Sequence, residues 1–112
     1  MNKVFSLNEI CKISVPIAEK YGVDKLYIFG SYAREEATET SDIDILIDKG
    51  DICNLLDYFA FVSDLEDSFE KHVDVVTITC NDKEFVEKVM EEAILIYESK
   101  RQNHYTENLA VL

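Results

Sequence analysis

Apolar positions recur along this chain with two different periods, and the switches between them outline its elements. Ser6 and Glu9 form an S-x-x-E capping box, and Leu7, Ile10, Cys11, Ser14, Ile17 and Ala18 follow at helical spacing before Gly22. This predicts a first helix that stops at Gly22 and is kinked or restarted at Pro16, where a backbone donor is missing. Lys25-Leu26-Tyr27-Ile28-Phe29 is short, aromatic and β-branched and ends abruptly at Gly30, which reads as a strand. Ser31 to Glu36 reads as a short helix and Thr38 to Ser41 as a polar loop. From Asp42 to Asp48 the period drops to two, with Ile43, Ile45 and Ile47 on one face of a strand and Asp42, Asp44 and Leu46 on the other.

Helical spacing returns from Ile52 through Leu55, Leu56, Phe59, Val62, Leu65 and Phe69, the mark of an amphipathic helix with an acidic outer face. Val73 to Ile78 is a third strand, interrupted by Asp74. Asn81 or Asp82 caps a last helix whose stripe is Phe85, Val86, Val89, Met90, Ala93, Ile94 and Tyr97. The expected order is α-β-α-β-α-β-α: an α/β layer fold with a three-stranded mixed sheet flanked by helices. Residues 1–98 form one domain in this reading, and 99–112 a C-terminal tail without a strong period.

Length and charge narrow the function classes. With 112 residues the chain holds one compact domain, and 47% hydrophobic residues supply a core. Eleven Lys and Arg face twenty-three Asp and Glu, for a net charge of −12, and no Lys, Arg or His occurs between Asp51 and Glu70. A polyanion binder needs a basic stripe, so neither nucleic acid nor an anionic membrane is an expected partner. A cationic partner or divalent metal fits better. Cys11, Cys53 and Cys80 are scattered, which speaks against a zinc site and for reduced thiols, with Cys11 and Cys53 expected in the core. No signal-peptide core precedes the first helix and no apolar run is long enough to span a bilayer, so the expected location is cytoplasmic.

Two features break the pattern. Asp is a poor strand former, yet Asp42 and Asp44 point the same way from one strand and Asp74 interrupts another. Unpaired carboxylates so placed repel one another and resist burial. A divalent cation with hard oxygen ligands, such as Mg²⁺, resolves both problems; charges on an exposed sheet face are the alternative. The apolar Ile45-Leu46-Ile47 that follows excludes a calcium loop. The second feature is Gly30-Ser31 at a strand-to-helix turn, where backbone N–H groups suit phosphate and where a simple cap is the alternative. The P-loop and nucleophile-elbow patterns are both absent.

Taken together, Phe29-Gly30-Ser31-Tyr32-Ala33-Arg34, Ala37 and Ser41-Asp42-Ile43-Asp44 match G-S-x(10)-D-x-D. They resemble the signature of the nucleotidyltransferase superfamily typified by DNA polymerase beta. Tyr21-Gly22-Val23, Leu26 to Phe29 and the length of the chain resemble the minimal nucleotidyltransferases within it. One departure is Glu35, where the family often has Gly.

The resemblance implies that Gly30 and Ser31 hold the β- and γ-phosphates of a nucleoside triphosphate, with Arg34 either beside them or in a salt bridge to a nearby Glu. It implies that Asp42 and Asp44 bind two Mg²⁺ ions and that Asp74 completes one metal site and accepts the proton of the attacking hydroxyl. His72 and His104 have no evident role and read as surface residues. Gly30 must meet Asp42, so strands one and two are expected antiparallel, and strand three parallel to strand two through a crossover helix. Family pattern further implies an antitoxin paired with a HEPN ribonuclease toxin, transferring AMP from ATP to a toxin tyrosine. Transfer to a small-molecule hydroxyl with a partner subunit, and a non-catalytic masking module, are the alternatives; self-association into a homo-oligomer is left open.

Overall fold

The computed structural model describes residues 3–100. Three helices and four strands follow in the order α1 (Leu7–Tyr21), β1 (Lys25–Phe29), β2 (Ile43–Asp48), α2 (Leu55–Phe69), β3 (Val73–Thr77), α3 (Lys83–Glu92) and β4 (Ile94–Glu98). The sheet order is β3-β2-β1-β4. β1 runs antiparallel to β2, and β3 runs parallel to β2, as the meeting of Gly30 with the acidic strand requires.

The alternation in β2 sorts the two faces. Ile43, Ile45 and Ile47 join Leu26, Ile28 and Val73 beneath α1 and α2, where Ile10, Ala18, Phe61, Leu65 and Phe69 close the main core. Leu46 faces the other way with Phe29 and meets Val89 of α3. Asp44 shares that second face, near the start of β2 and paired with Phe29.

α1 begins at the expected capping box, Ser6 Oγ accepting the Glu9 N–H at 3.1 Å and Glu9 Oε1 accepting the Ser6 N–H at 3.0 Å. It runs as one helix through Pro16. At its end Gly22 adopts φ +73°, and the Val23 N–H reaches back to the Ala18 carbonyl at 3.0 Å, a Schellman closure.

Four expectations need correction. The sheet has four strands, because the stripe read as one helix through Tyr97 breaks at Ala93, whose backbone is extended. Ile94-Leu95-Ile96-Tyr97 is a short apolar run that fits either period, and the otherwise unpaired edge of β1 takes it as β4, with a register shift between Leu26 and Tyr27. Ser31 to Glu36 forms a turn instead of a helix. The Arg34 N–H bonds the Gly30 carbonyl at 3.1 Å, and the Glu36 N–H bonds the Ser31 carbonyl at 2.9 Å, so the first turn is closed off at once with Glu35 left-handed at φ +60°.

α2 starts at Leu55, capped by Asn54, and its buried stripe is Phe61, Leu65 and Phe69. Leu55, Leu56 and Phe59 lie outside the stripe at 71%, 81% and 62% exposure. Finally, Cys53 is exposed and Cys11 half-buried, so neither is a core thiol; all three cysteines are free. The expected tail lies outside the described residues from residue 101 onward. No helix among the described residues is long and apolar enough to cross a membrane.

β3 is an edge strand, and three of its outward backbone groups are engaged from its own chain. Tyr58 Oη donates to the Val75 carbonyl at 2.8 Å, Glu66 Oε2 accepts the Val73 N–H at 3.1 Å, and the Cys80 N–H bonds the Thr77 carbonyl at 3.1 Å.

Glu35 yields a stability prediction. A residue with a side chain costs about 1–2 kcal/mol in the left-handed region, and the extra unfolded-state freedom of glycine offsets roughly half of that. Glu35→Gly is therefore expected to stabilise the fold by about 0.5–1 kcal/mol, read from urea unfolding. A loss of stability would show that the Glu35 side chain contributes more than its backbone costs.

Candidate active site

The parallel register of β2 and β3 sets Asp44 directly beside Asp74 and Ile43 beside Val73. One step earlier, the Ile43 N–H bonds the His72 carbonyl at 3.1 Å, which brings Asp42 alongside His72. Four polar side chains thus stand in a square at the start of two neighbouring strands. Ligand atoms of Asp42, His72 and Asp74 all lie within 4.8 Å of one another.

Asp44 is the half-buried corner, and Gly30 makes room for it. Gly30 ends β1 with φ +72°, and a Cβ there would run into the Asp44 carboxylate. The Gly30 position and the acidic strand are therefore one packed unit. The Asp44 carboxyl is pushed up to about 6, first by burial, then by Asp74 through charge and hydrogen bonding and by the charge of Asp42, with Arg34 opposing. In the absence of a counter-ion the square holds more negative charge than its surroundings support.

Ser31 follows Gly30, half-buried, at the head of the turn. Arg34 projects from that turn close enough to influence Asp44, yet its partners are acids: Nε donates to Glu36 at 3.0 Å, and Nη1 to both carboxylate oxygens of Glu92 on α3 at 3.0 and 3.2 Å. These hydrogen bonds to Glu36 and Glu92 hold its pKa up. Of the two roles expected for Arg34, the salt bridge is the one formed here.

His72 departs from expectation. It is exposed, but Nε2 lies 2.8 Å from Asp74 Oδ1 and Nδ1 lies 2.9 Å from Glu66 Oε2. Its pKa is raised, chiefly by the Asp74 hydrogen bond and then by the charges of Asp74, Asp42 and Glu66. Sequence reasoning passed over it because its tie to Asp42 exists only across the β2–β3 pairing. The signal available was its place two residues before Asp74, on the same strand face. His104 lies outside the described residues.

Oxygen donors from Asp42, Asp44 and Asp74, with the Asp44 carboxyl driven toward its neutral form by burial and then by the other two, are a donor set that a hard divalent cation would satisfy. With such a cation held there, the site would supply the fixed countercharge that phosphoryl oxygens need.

Comparison with known proteins agrees. The family described as "Polymerase beta, Nucleotidyltransferase" matches residues 12–102. The candidate protein adenylyltransferase MJ0435 of Methanocaldococcus jannaschii is 42% identical over 89 residues, spanning 80% of this chain and 96% of that protein. A solved structure described as a candidate minimal nucleotidyltransferase superposes with a TM-score of 0.69 at 31% identity, over 79% of this chain and 90% of that one. A chain from the complex of tri-AMPylated Shewanella oneidensis HEPN toxin with MNT antitoxin has the same fold, with a TM-score of 0.58 at 18% identity, over 88% of this chain and 74% of that one. The chain therefore belongs to the polymerase beta nucleotidyltransferases, as a minimal nucleotidyltransferase.

Proposed function

We propose that this nucleotidyltransferase moves AMP from ATP to a tyrosine of a HEPN-type partner protein and serves as that partner's antitoxin. The observation that supports it most is the convergence of Asp42, Asp44 and Asp74 beside Gly30, in a chain 42% identical to a protein named as an adenylyltransferase. The fold neighbour described as an MNT antitoxin bound to an AMPylated HEPN toxin supports the choice of partner.

In this reading Asp42 and Asp44 hold two Mg²⁺ ions and Asp74 completes one of the two positions. When bound, the cations stabilise charge on the attacking and leaving oxygens. Gly30 and Ser31 bind the β- and γ-phosphates at the turn, and Arg34 exchanges Glu92 for a phosphate oxygen. The tyrosine Oη attacks the α-phosphorus, its proton passes to the Asp74 carboxylate, and the bond from the α-phosphorus to the bridging oxygen breaks as pyrophosphate leaves with the electron pair.

Asp42, His72 and Asp74 are all exposed, so the acceptor's walls come from the partner, and positioning is most of what this chemistry requires. The exposed Leu55, Leu56 and Phe59, within a segment that has no basic residue from 51 to 70, offer that partner an apolar contact with acidic surroundings. ATP as substrate and free thiols fit a cytoplasmic setting.

The test is intact-mass analysis of a co-encoded HEPN protein after incubation with this chain, ATP and Mg²⁺. Added AMP on tyrosine, absent with Asp42→Asn, is expected. A partner that is bound and silenced yet unmodified would overturn catalysis as the mechanism.

A further inference from the structure

Asp74 is held by a chain of side chains that leads back into α2. Glu66 Oε2 accepts the Val73 N–H at 3.1 Å and lies 2.9 Å from His72 Nδ1, where the two form an ion pair when the ring is protonated. The opposite ring nitrogen, Nε2, lies 2.8 Å from Asp74 Oδ1. The backbone of His72 is itself fixed, since its carbonyl bonds the Ile43 N–H. A ring anchored at its backbone and at both nitrogens has a set orientation. It thereby determines which carboxylate oxygen of Asp74 is taken up and which is left for another ligand.

We infer that Glu66 and His72 are positioning residues: Glu66 aims the imidazole, and the imidazole occupies Asp74 Oδ1 so that Oδ2 is the oxygen presented to a divalent cation shared with Asp42 and Asp44. The inference rests on the metal-binding reading of the three aspartates. It adds that the affinity of this corner is set in part by a helix residue eight positions before Asp74. Partners that orient a ligand in this way are typically worth about 10–100-fold in metal affinity when removed.

Mn²⁺ is a suitable probe because it takes the same oxygen donors as Mg²⁺ and its free form is read by electron paramagnetic resonance. The wild-type chain is expected to bind Mn²⁺, with binding abolished in Asp42→Asn. His72→Ala is expected to weaken binding by about 10–100-fold with an unchanged unfolding midpoint, since the side chain is 58% exposed. His72→Gln, which keeps a donor near the Nε2 position, should recover most of that loss. Glu66→Ala should weaken Mn²⁺ binding in the wild-type background but add nothing to His72→Ala, because the two act through one contact. Mn²⁺ binding in His72→Ala equal to a wild type that is itself sensitive to Asp42→Asn would overturn the positioning role and leave the metal site standing. A Glu66→Ala loss that adds fully to that of His72→Ala would overturn the chain of contacts. Absence of Mn²⁺ binding by the wild type would remove the metal reading and this inference with it.

Discussion

The Asp42→Asn, Asp44→Asn double variant is expected to lose nucleotidyl transfer by on the order of 10³-fold or more, since losing several kcal/mol of transition-state charge stabilisation has that effect. It should not lose its fold. In the metal-free protein the Asp44 carboxyl sits at about 6 against an ordinary value of 3.8. Between those two pH values the folded chain holds more protons than the unfolded chain, so stability falls as pH rises through the window and stays low above it. Asp44→Asn removes this dependence. At pH 7–8 without metal it is expected to be more stable than wild type by about 1 kcal/mol, after discounting for solvent screening of a half-exposed group. The advantage should shrink below pH 6 and vanish below about pH 4. Urea titrations at several pH values, in chelator, read this directly. Wild-type turnover in the double variant would refute the role of the acidic strand, and a flat pH response of the difference would refute its electrostatic cause.

Gly30→Ala is the second large effect. The new Cβ would meet the Asp44 carboxylate, and the backbone there is left-handed at φ +72°. The left-handed cost alone is about 1–2 kcal/mol. Displacing Asp44 adds a functional penalty, because a shift of about 1 Å at a reacting centre can cost 10²-fold. Gly22→Ala is the matched control: it has the same left-handed backbone at φ +73°, but its Cβ would meet Asp51, at the far end of the sheet. Both variants should lose stability, and only Gly30→Ala should lose on the order of 10² in kcat per folded molecule. Equal activity losses in the two would show that the position matters for folding alone.

Much of this site was legible because it depends on short-range rules. Alternation in Asp42 to Asp48 assigns the faces, and the need for Gly30 to meet Asp42 dictates an antiparallel pair before any coordinate is known; the structure sets Asp44, one step further along the same face, against Gly30. What escaped depends on pairing between distant segments. The Ile94 to Tyr97 run fits two periods, and only the open edge of β1 makes it a strand. His72 looks idle until β3 is laid against β2. The rotation of α2 turns on Phe61, which the apolar stripe drawn through Leu55, Leu56 and Phe59 skipped, because three apolar residues facing outward defeat a purely periodic reading. Glu35 stood out as a departure where glycine is common, and its left-handed backbone gives that departure a physical meaning.

The partly engaged outer rim of β3 bears on how other proteins can approach. A foreign strand docks by finding free amides and carbonyls, and here Tyr58, Glu66 and the Cys80 N–H already engage the Val75 carbonyl, the Val73 N–H and the Thr77 carbonyl. Strand-by-strand extension on this side, whether by a legitimate ligand or by a misfolded copy, would first have to pull α2 side chains away. One of those, Glu66, also holds His72. The same contacts that shape the acidic corner therefore also raise the cost of fibre-like growth along this edge.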